Sequence, residues 1–392
     1  MLVGDGMGDY PCDELQGRTP LQAAHAPNMR RIAAAGETRM VQTVPLRGLP
    51  PGSDVANLSL FGYNPEENYT GRAPIEAAGA NLPLQTDDVA FRCNLVTIRD
   101  GCMADHSAGQ ISTEEARLLI ETIAAELGNH DRHFHTGVGY RHLLIWAGGP
   151  LQLVTQAPHD IAGRAIAGYL PQGERQAELR ELMDLSQALL RDHSVNRARV
   201  AAARNPATQI WLWGQGGAMK LKTYPELYQL SGGVITAVDL IRGLGRLAGL
   251  QPVAVPGATG QMDTNYAGKV QAALDILTRD DFVFLHVEAP DECGHSGDTR
   301  DKIRAIELFD ERVVGPVWRE LERRGQPYRL LLCIDHRTPI ATRGHTRDPV
   351  PMAKLDGPVG AVTREAPFDE TVHNGLTECV GYEWIRELLR QR

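Results

Sequence analysis

The sequence predicts an α/β fold: a mostly parallel sheet flanked by helices, with a smaller α/β domain inserted into the first. Continuous apolar runs alternate with amphipathic segments, the pattern of doubly buried strands joined by helices. Each of three such runs delivers acids or imidazoles at its C-terminal end, where open α/β sheets bind ligands. The stretch from about 67 to 204 holds far fewer residues of that kind. The expected division is therefore 1–66 and 205–392 as one domain and 67–204 as the insertion.

The first run, Met1-Leu2-Val3-Gly4, ends at Asp5. It falls short of the usual 5–6 strand residues, about, so either the strand is short or the natural start lies upstream. Thr19-Pro20 reads as an N-cap and first helical position, and Gly36 closes the segment holding Met29, Ile32 and Ala33. Pro50-Pro51-Gly52 fixes a loop before Ser53, which opens a helical stretch through Leu58. Ser112-Thr113-Glu114-Glu115 is a capping box. Trp211-Leu212-Trp213 is expected to resume the main sheet. Phe282 through Val287 forms the second run, leading to Glu288 and Asp291. Asp301 through Arg324 reads as one long amphipathic helix. Leu330 through Ile334 is the third run, ending at Asp335-His336.

A chain of 392 residues buries a large core without staples. Its net charge of −9, with no Lys/Arg run of five, argues against nucleic acid as a partner. A local basic pocket remains compatible with that total. No apolar stretch approaches 18 residues, so no membrane partner is expected. Six scattered cysteines without a C-x-x-C pair point to a reducing, cytoplasmic compartment. A homo-oligomer is compatible with all of this.

Four elements carry chemistry. Asp291 and His295 stand at i and i+4, on one face if helical, and can share a cation. Asp335-His336, with His345 nine residues on, adds a second set of donors. Asp5 lies in a glycine-rich turn, and Ser53 starts a helix, a position that favours an alkoxide and a phosphate. Each has a bland reading: chance spacing, a satisfied core pair, an Asx turn, an N-cap serine. Together they fit two divalent ions that assist a serine, a poor nucleophile when unassisted.

The chain resembles the archaeal-type 2,3-bisphosphoglycerate-independent phosphoglycerate mutases of the alkaline phosphatase superfamily. The carrying segments include DGMGD at 5–9, PGSDVANLSLFGYNP at 51–65, YTGRAPIEAAGA at 69–80, PGATGQMDTNY at 256–266, HVEAPDECGH at 286–295 and DHRTPIATRGHTRDPVPM at 335–352. The resemblance implies an alkaline-phosphatase-like sheet and a phosphoserine intermediate on Ser53. It implies one ion on Asp5, Ser53, Asp335 and His336, and another on Asp291, His295 and His345. The ions would be Mn²⁺, with Mg²⁺ or Zn²⁺ as alternatives, and no 2,3-bisphosphoglycerate is needed. The substrate is a small phosphorylated compound, with 3-phosphoglycerate converted to 2-phosphoglycerate in a closed cleft. Arg72, Arg92, Lys302 and Arg343 are expected to clamp it, because arginine binds carboxylate and phosphate in a fork.

One segment departs from the family. An arginine-rich Asp-Arg-Arg-Ala-Gly-Arg is replaced here by Asp105-His106-Ser107-Ala108-Gly109-Gln110. Bacterial relatives with the milder segment have been proposed as homoserine kinases of threonine synthesis. The alternatives are therefore a phosphotransferase on another small hydroxyl substrate such as homoserine, a metal-dependent phosphatase, and a non-catalytic metal-binding protein. The complete ligand set argues against the last.

Overall fold

A computed structural model of the protein describes residues 1–372 and 379–391. It contains two units, Met1–Tyr69 with Leu221–Arg392, and Thr70–Lys220.

The first unit is built on an eight-stranded sheet. Its order is Gln251–Pro252, Gly232–Ile235, Phe282–Val287, Leu2–Gly4, Tyr328–Ile334, Val350–Gly357, Glu37–Gln42 and Cys379–Val380. The first five strands run parallel. Val350–Gly357 runs antiparallel to both its neighbours. Every residue of Phe282–Val287 is buried, as its unbroken apolar run requires of a central strand. Register places Gly4 beside both Val287 and Ile334. The three strands therefore end at one level, and Asp5, Glu288 and Asp335 leave the sheet together.

Helix punctuation follows local chemistry. Thr19 caps Pro20–Ala23 through a capping box with Gln22. The helix then breaks and resumes as Pro27–Ala35; Pro27 disfavours helical geometry in the residue before it. The single segment expected up to Gly36 is thus two helices. The long helix expected over 301–324 is Thr299–Phe309 and Gly315–Arg324 joined by a π-turn at Asp310–Val314. Asp310 is buried in that turn and accepts from the backbone N–H of Met29 at 2.7 Å and from Asn28 Nδ2 at 2.7 Å.

The second unit centres on the strand Asp88–Arg99, antiparallel to Arg141–Ala147, Gln209–Gly217 and Cys102–Asp105. Strand alternation gives it two different faces. Phe91, Cys93 and Leu95 share a core with Leu119, Ile120 and Ile123 of the helix Thr113–Leu127 and with Leu179, Leu182 and Met183 of Gln176–Arg191. Ala90 instead packs with Ala73 and Ala77 of Arg72–Gly79. Here the sequence expectation needs correcting. Trp211, Leu212 and Trp213 do not resume the main sheet; they pair with Asn94, Cys93 and Arg92. The structure draws the boundary after Lys220, not at 204, because this strand finds its partner inside the second unit. Among the described residues, no helix is long and apolar enough to cross a membrane.

Candidate metal centre

Two groups of side chains with metal-type donors gather where the central strands of the first unit end. Asp5, Asp335 and His336 offer donor atoms within 4.8 Å of one another, and so do Asp291, His295 and His345. The first three residues are all buried.

The backbone holds the first group. The N–H groups of Gly6 and His336 both donate to Asp335 Oδ1 at 2.9 Å. Asn57 Nδ2 donates to Asp335 Oδ2 at 2.8 Å and to the Ser53 carbonyl at 2.9 Å. That asparagine lies one turn beyond Ser53 in the helix Ser53–Leu60, so it ties the serine's turn to the acid. Gly52, not Ser53, occupies the N-cap position, and no side chain caps the helix there. The serine hydroxyl is therefore not spent on capping. Its Oγ stands 3.0 Å from His336 Nε2.

The second group lies on the helix Ala289–Ser296 and the loop holding His345. His295 Nε2 is 3.1 Å from Asp291 Oδ2 and 3.1 Å from His345 Nε2. His345 Nε2 is also 3.4 Å from Asp291 Oδ1. His295 Nδ1 faces the Arg343 carbonyl at 2.9 Å, which leaves Nε2 on the inner side.

Electrostatics show a site short of positive charge. Burial, then the charges of Asp335 and Asp291, pushes the Asp5 carboxyl well above the usual range. Burial opposes ionisation of Asp291 too, but hydrogen bonds from His295 and His345 prevail and hold it well below that range. His295, despite its own burial, is raised to about 9 by Asp291. Burial pushes His336 and His286 down to about 4, so both are neutral at neutral pH. His286 Nε2 lies 3.2 Å from Asp5 Oδ2, and His336 Nε2 lies 3.3 Å from Asp5 Oδ1. Yet Asp5 Oδ1 and His286 Nε2 are buried without a hydrogen-bond partner. Orphaned buried polar atoms are costly, and hard oxygen and imidazole donors around them fit divalent cations.

The four expected clamps fall in different places. Lys302 is fully buried, and its ammonium donates to Asp9 Oδ2 at 2.8 Å, the Thr338 carbonyl at 2.8 Å and the Gly8 carbonyl at 3.0 Å. An ammonium has three donors, so none remains for a substrate. The clamp expected at Lys302 is corrected to a structural tie between two loops. Arg343 is exposed, has φ 53° and lends its carbonyl to His295. Arg72 and Arg92 lie in the second unit around Glu76. Arg72 Nε donates to Glu76 Oε1 at 3.0 Å. Arg92 Nε is 2.8 Å from Glu76 Oε2, close in distance but out of line for a hydrogen bond. Its guanidinium stacks 4.4 Å from the Trp213 ring. Desolvation lowers Arg92 to about 10, and Glu76 pulls back against it. His159 contacts the Trp213 and His106 rings. Asn265 caps the helix Tyr266–Ile276.

Sequence reasoning missed Asn57, His286 and Thr338. Asn57 was findable, since i+4 from Ser53 on a helix is a contact position. Thr338 stands two residues from His336 on extended chain, hence on the same side. His286 is a lone imidazole in an apolar strand, with no such signal.

A family model described as 2,3-bisphosphoglycerate-independent phosphoglycerate mutase matches residues 33–196. A protein of that name from Methanosarcina acetivorans is 51% identical, over 90% of this chain and 89% of its own length. One from Methanothrix thermoacetophila is 50% identical over 99% and 98%. A solved structure of a cofactor-independent phosphoglycerate mutase from Thermoplasma acidophilum aligns with TM-score 0.62 at 26% identity, covering 100% of this chain and 98% of that one. A protein of solved structure from Pyrococcus horikoshii reaches TM-score 0.81 at 29% identity over 100% and 97%.

Proposed function

We infer how this chain works from one premise: it belongs to the family of 2,3-bisphosphoglycerate-independent phosphoglycerate mutases. It interconverts 3-phosphoglycerate and 2-phosphoglycerate, with divalent metal ions and no bisphosphoglycerate. The observation that carries the reading is Ser53 Oγ, uncommitted to capping and 3.0 Å from His336 Nε2 beside the Asp5–Asp335–His336 group. We assign one ion to Asp5, Ser53, Asp335 and His336 and the other to Asp291, His295 and His345, with Mn²⁺ the preferred metal.

When bound, such a pair acidifies the serine hydroxyl and neutralises charge on the attacking and leaving oxygens. The protein's own residues do the rest. Asn57 fixes the first helical turn, whose positive dipole end favours a phosphate on Ser53. Ser53 Oγ bonds to the phosphorus as the bond to glycerate O3 breaks, and the serine's proton ends on O3. Glycerate then attacks through O2, the P–Oγ bond breaks, and the serine recovers a proton. No water is consumed, so the intermediate must be shielded from it. Arg72 and Arg92 are assigned to the substrate's anionic groups. A cytoplasmic location suits a chain whose six cysteines are all free.

The homoserine and phosphatase alternatives are not favoured, because relatives aligned over nearly the whole chain bear the mutase name. Of the departing residues, Ser107 has a local role: its hydroxyl donates to Asp105 Oδ1 at 2.6 Å and accepts from the Gln110 N–H at 3.1 Å. Rapid acid quench of the metal-loaded enzyme with 3-phosphoglycerate, followed by peptide mass spectrometry, should find phosphate on Ser53. A quenched enzyme turning over with no phosphoserine would refute the assignment.

A further inference from the structure

We propose that Thr338 is a positioning residue that links the two metal groups: its hydroxyl donates to Asp291 and accepts from His336, setting the imidazole tautomer presented to Ser53. This rests on the two-metal reading above. Thr338 is fully buried. Its Oγ1 is hydrogen-bonded to Asp291 Oδ1 and lies 3.1 Å from His336 Nδ1. No other described side chain joins the two groups through a hydroxyl.

Counting protons gives the direction of each bond. A hydroxyl has one proton, and a carboxylate only accepts. Thr338 therefore gives its proton to Asp291 and must accept from Nδ1–H of His336. The lone pair of His336 is then on Nε2. That atom faces Ser53 Oγ at 3.0 Å, Asp5 Oδ1 at 3.3 Å and Asp335 Oδ2 at 3.4 Å, where a cation or a serine proton needs an acceptor.

The surroundings keep the hydroxyl in place. The Thr338 N–H donates to the Gly8 carbonyl at 3.1 Å, and its carbonyl accepts from Lys302. A Cβ on Gly6 would come 2.6 Å from Thr338 Oγ1 and 2.5 Å from Asp291 Oδ1. A Cβ on Gly294, in the Asp291–His295 helix, would come 2.5 Å from the Thr338 carbonyl. Glycine at these positions lets the three segments close around one hydroxyl.

The test is Mn²⁺ calorimetry on the metal-free full chain of wild type, Thr338→Val and Thr338→Ser, with melting temperatures beside it. The expected wild-type result is two ions bound. Valine should weaken binding about 10–100-fold, the usual effect of removing a ligand's partner, with the metal-free melting temperature held. Serine should restore affinity to within about threefold of wild type, by keeping the hydroxyl. Wild-type affinity in the valine variant, or a valine-like loss in the serine variant, overturns the proposal. A wild type that binds fewer than two ions defeats the two-metal reading instead. Should valine not fold, ¹⁵N NMR of His336 in metal-free wild type at neutral pH decides: the Nδ1–H tautomer supports the link and Nε2–H overturns it.

Discussion

Both units bury charge, with opposite surplus. In the first unit, Asp5, Asp291 and Asp335 meet imidazoles of which His336 and His286 are held neutral, and one carboxylate oxygen of Asp5 has no partner. In the second, buried Arg92 and half-buried Arg72 both face the carboxylate of Glu76. Burying unbalanced charge is unfavourable unless a partner arrives. That contrast supports the proposed ligands, cations at the first cluster and an anion at Arg92. The Lys302–Asp9 pair, one charge against one, is the balanced case and asks for nothing.

Changing each cluster in turn tests that contrast. Asp335→Ala should lower turnover by about a thousandfold or more, as loss of a reacting-centre group does, and remove one ion from the metal stoichiometry measured by mass spectrometry. Lys302→Met should cost about 3–5 kcal/mol in denaturant unfolding by leaving Asp9 unpaired. The surviving folded enzyme should keep its KM, whereas a substrate clamp would show the reverse. Arg92→Ala should raise KM for 3-phosphoglycerate about tenfold or more, equivalent to about 1.4 kcal/mol, with kcat and bound metal little changed. The most gradual effect, up to about tenfold for each unit, is on pH. Metal binding must displace the proton from His295, whose ring is raised to about 9 without metal. Affinity at that ion should therefore be full above pH 9 and fall up to about tenfold per unit below it. Calorimetry in buffers of different ionisation enthalpy should detect the released proton. Flat affinity from pH 6 to 9 would contradict the charge reading of that cluster.

Much of the catalytic unit was legible in the sequence because its chemistry is local. Asp5 and Asp335 each follow directly on an apolar strand, and Asp291 and His295 share one helical turn. Contacts made by the fold were harder to see. Trp211 to Trp213 form an apolar run that fits either sheet; only pairing with Arg92 to Asn94 decides it. Lys302 looked like a basic residue near the site. Its spacing with Ala305, Ile306 and Phe309, all buried, marks it as facing inward, a signal available in the helical period. The π-turn at Asp310 serves the helix Pro27–Ala35, distant in sequence, and periodicity within one segment does not reveal it.

The central claim is that Ser53, set beside two cation sites, carries the phosphate. The most direct measurement is conversion of 3-phosphoglycerate to 2-phosphoglycerate by the Mn²⁺-loaded chain without 2,3-bisphosphoglycerate, wild type beside Ser53→Ala. The account predicts turnover in wild type, its loss in the variant, and two ions bound in wild type. Equal turnover in both proteins, or none in a folded wild type holding two ions, would contradict it.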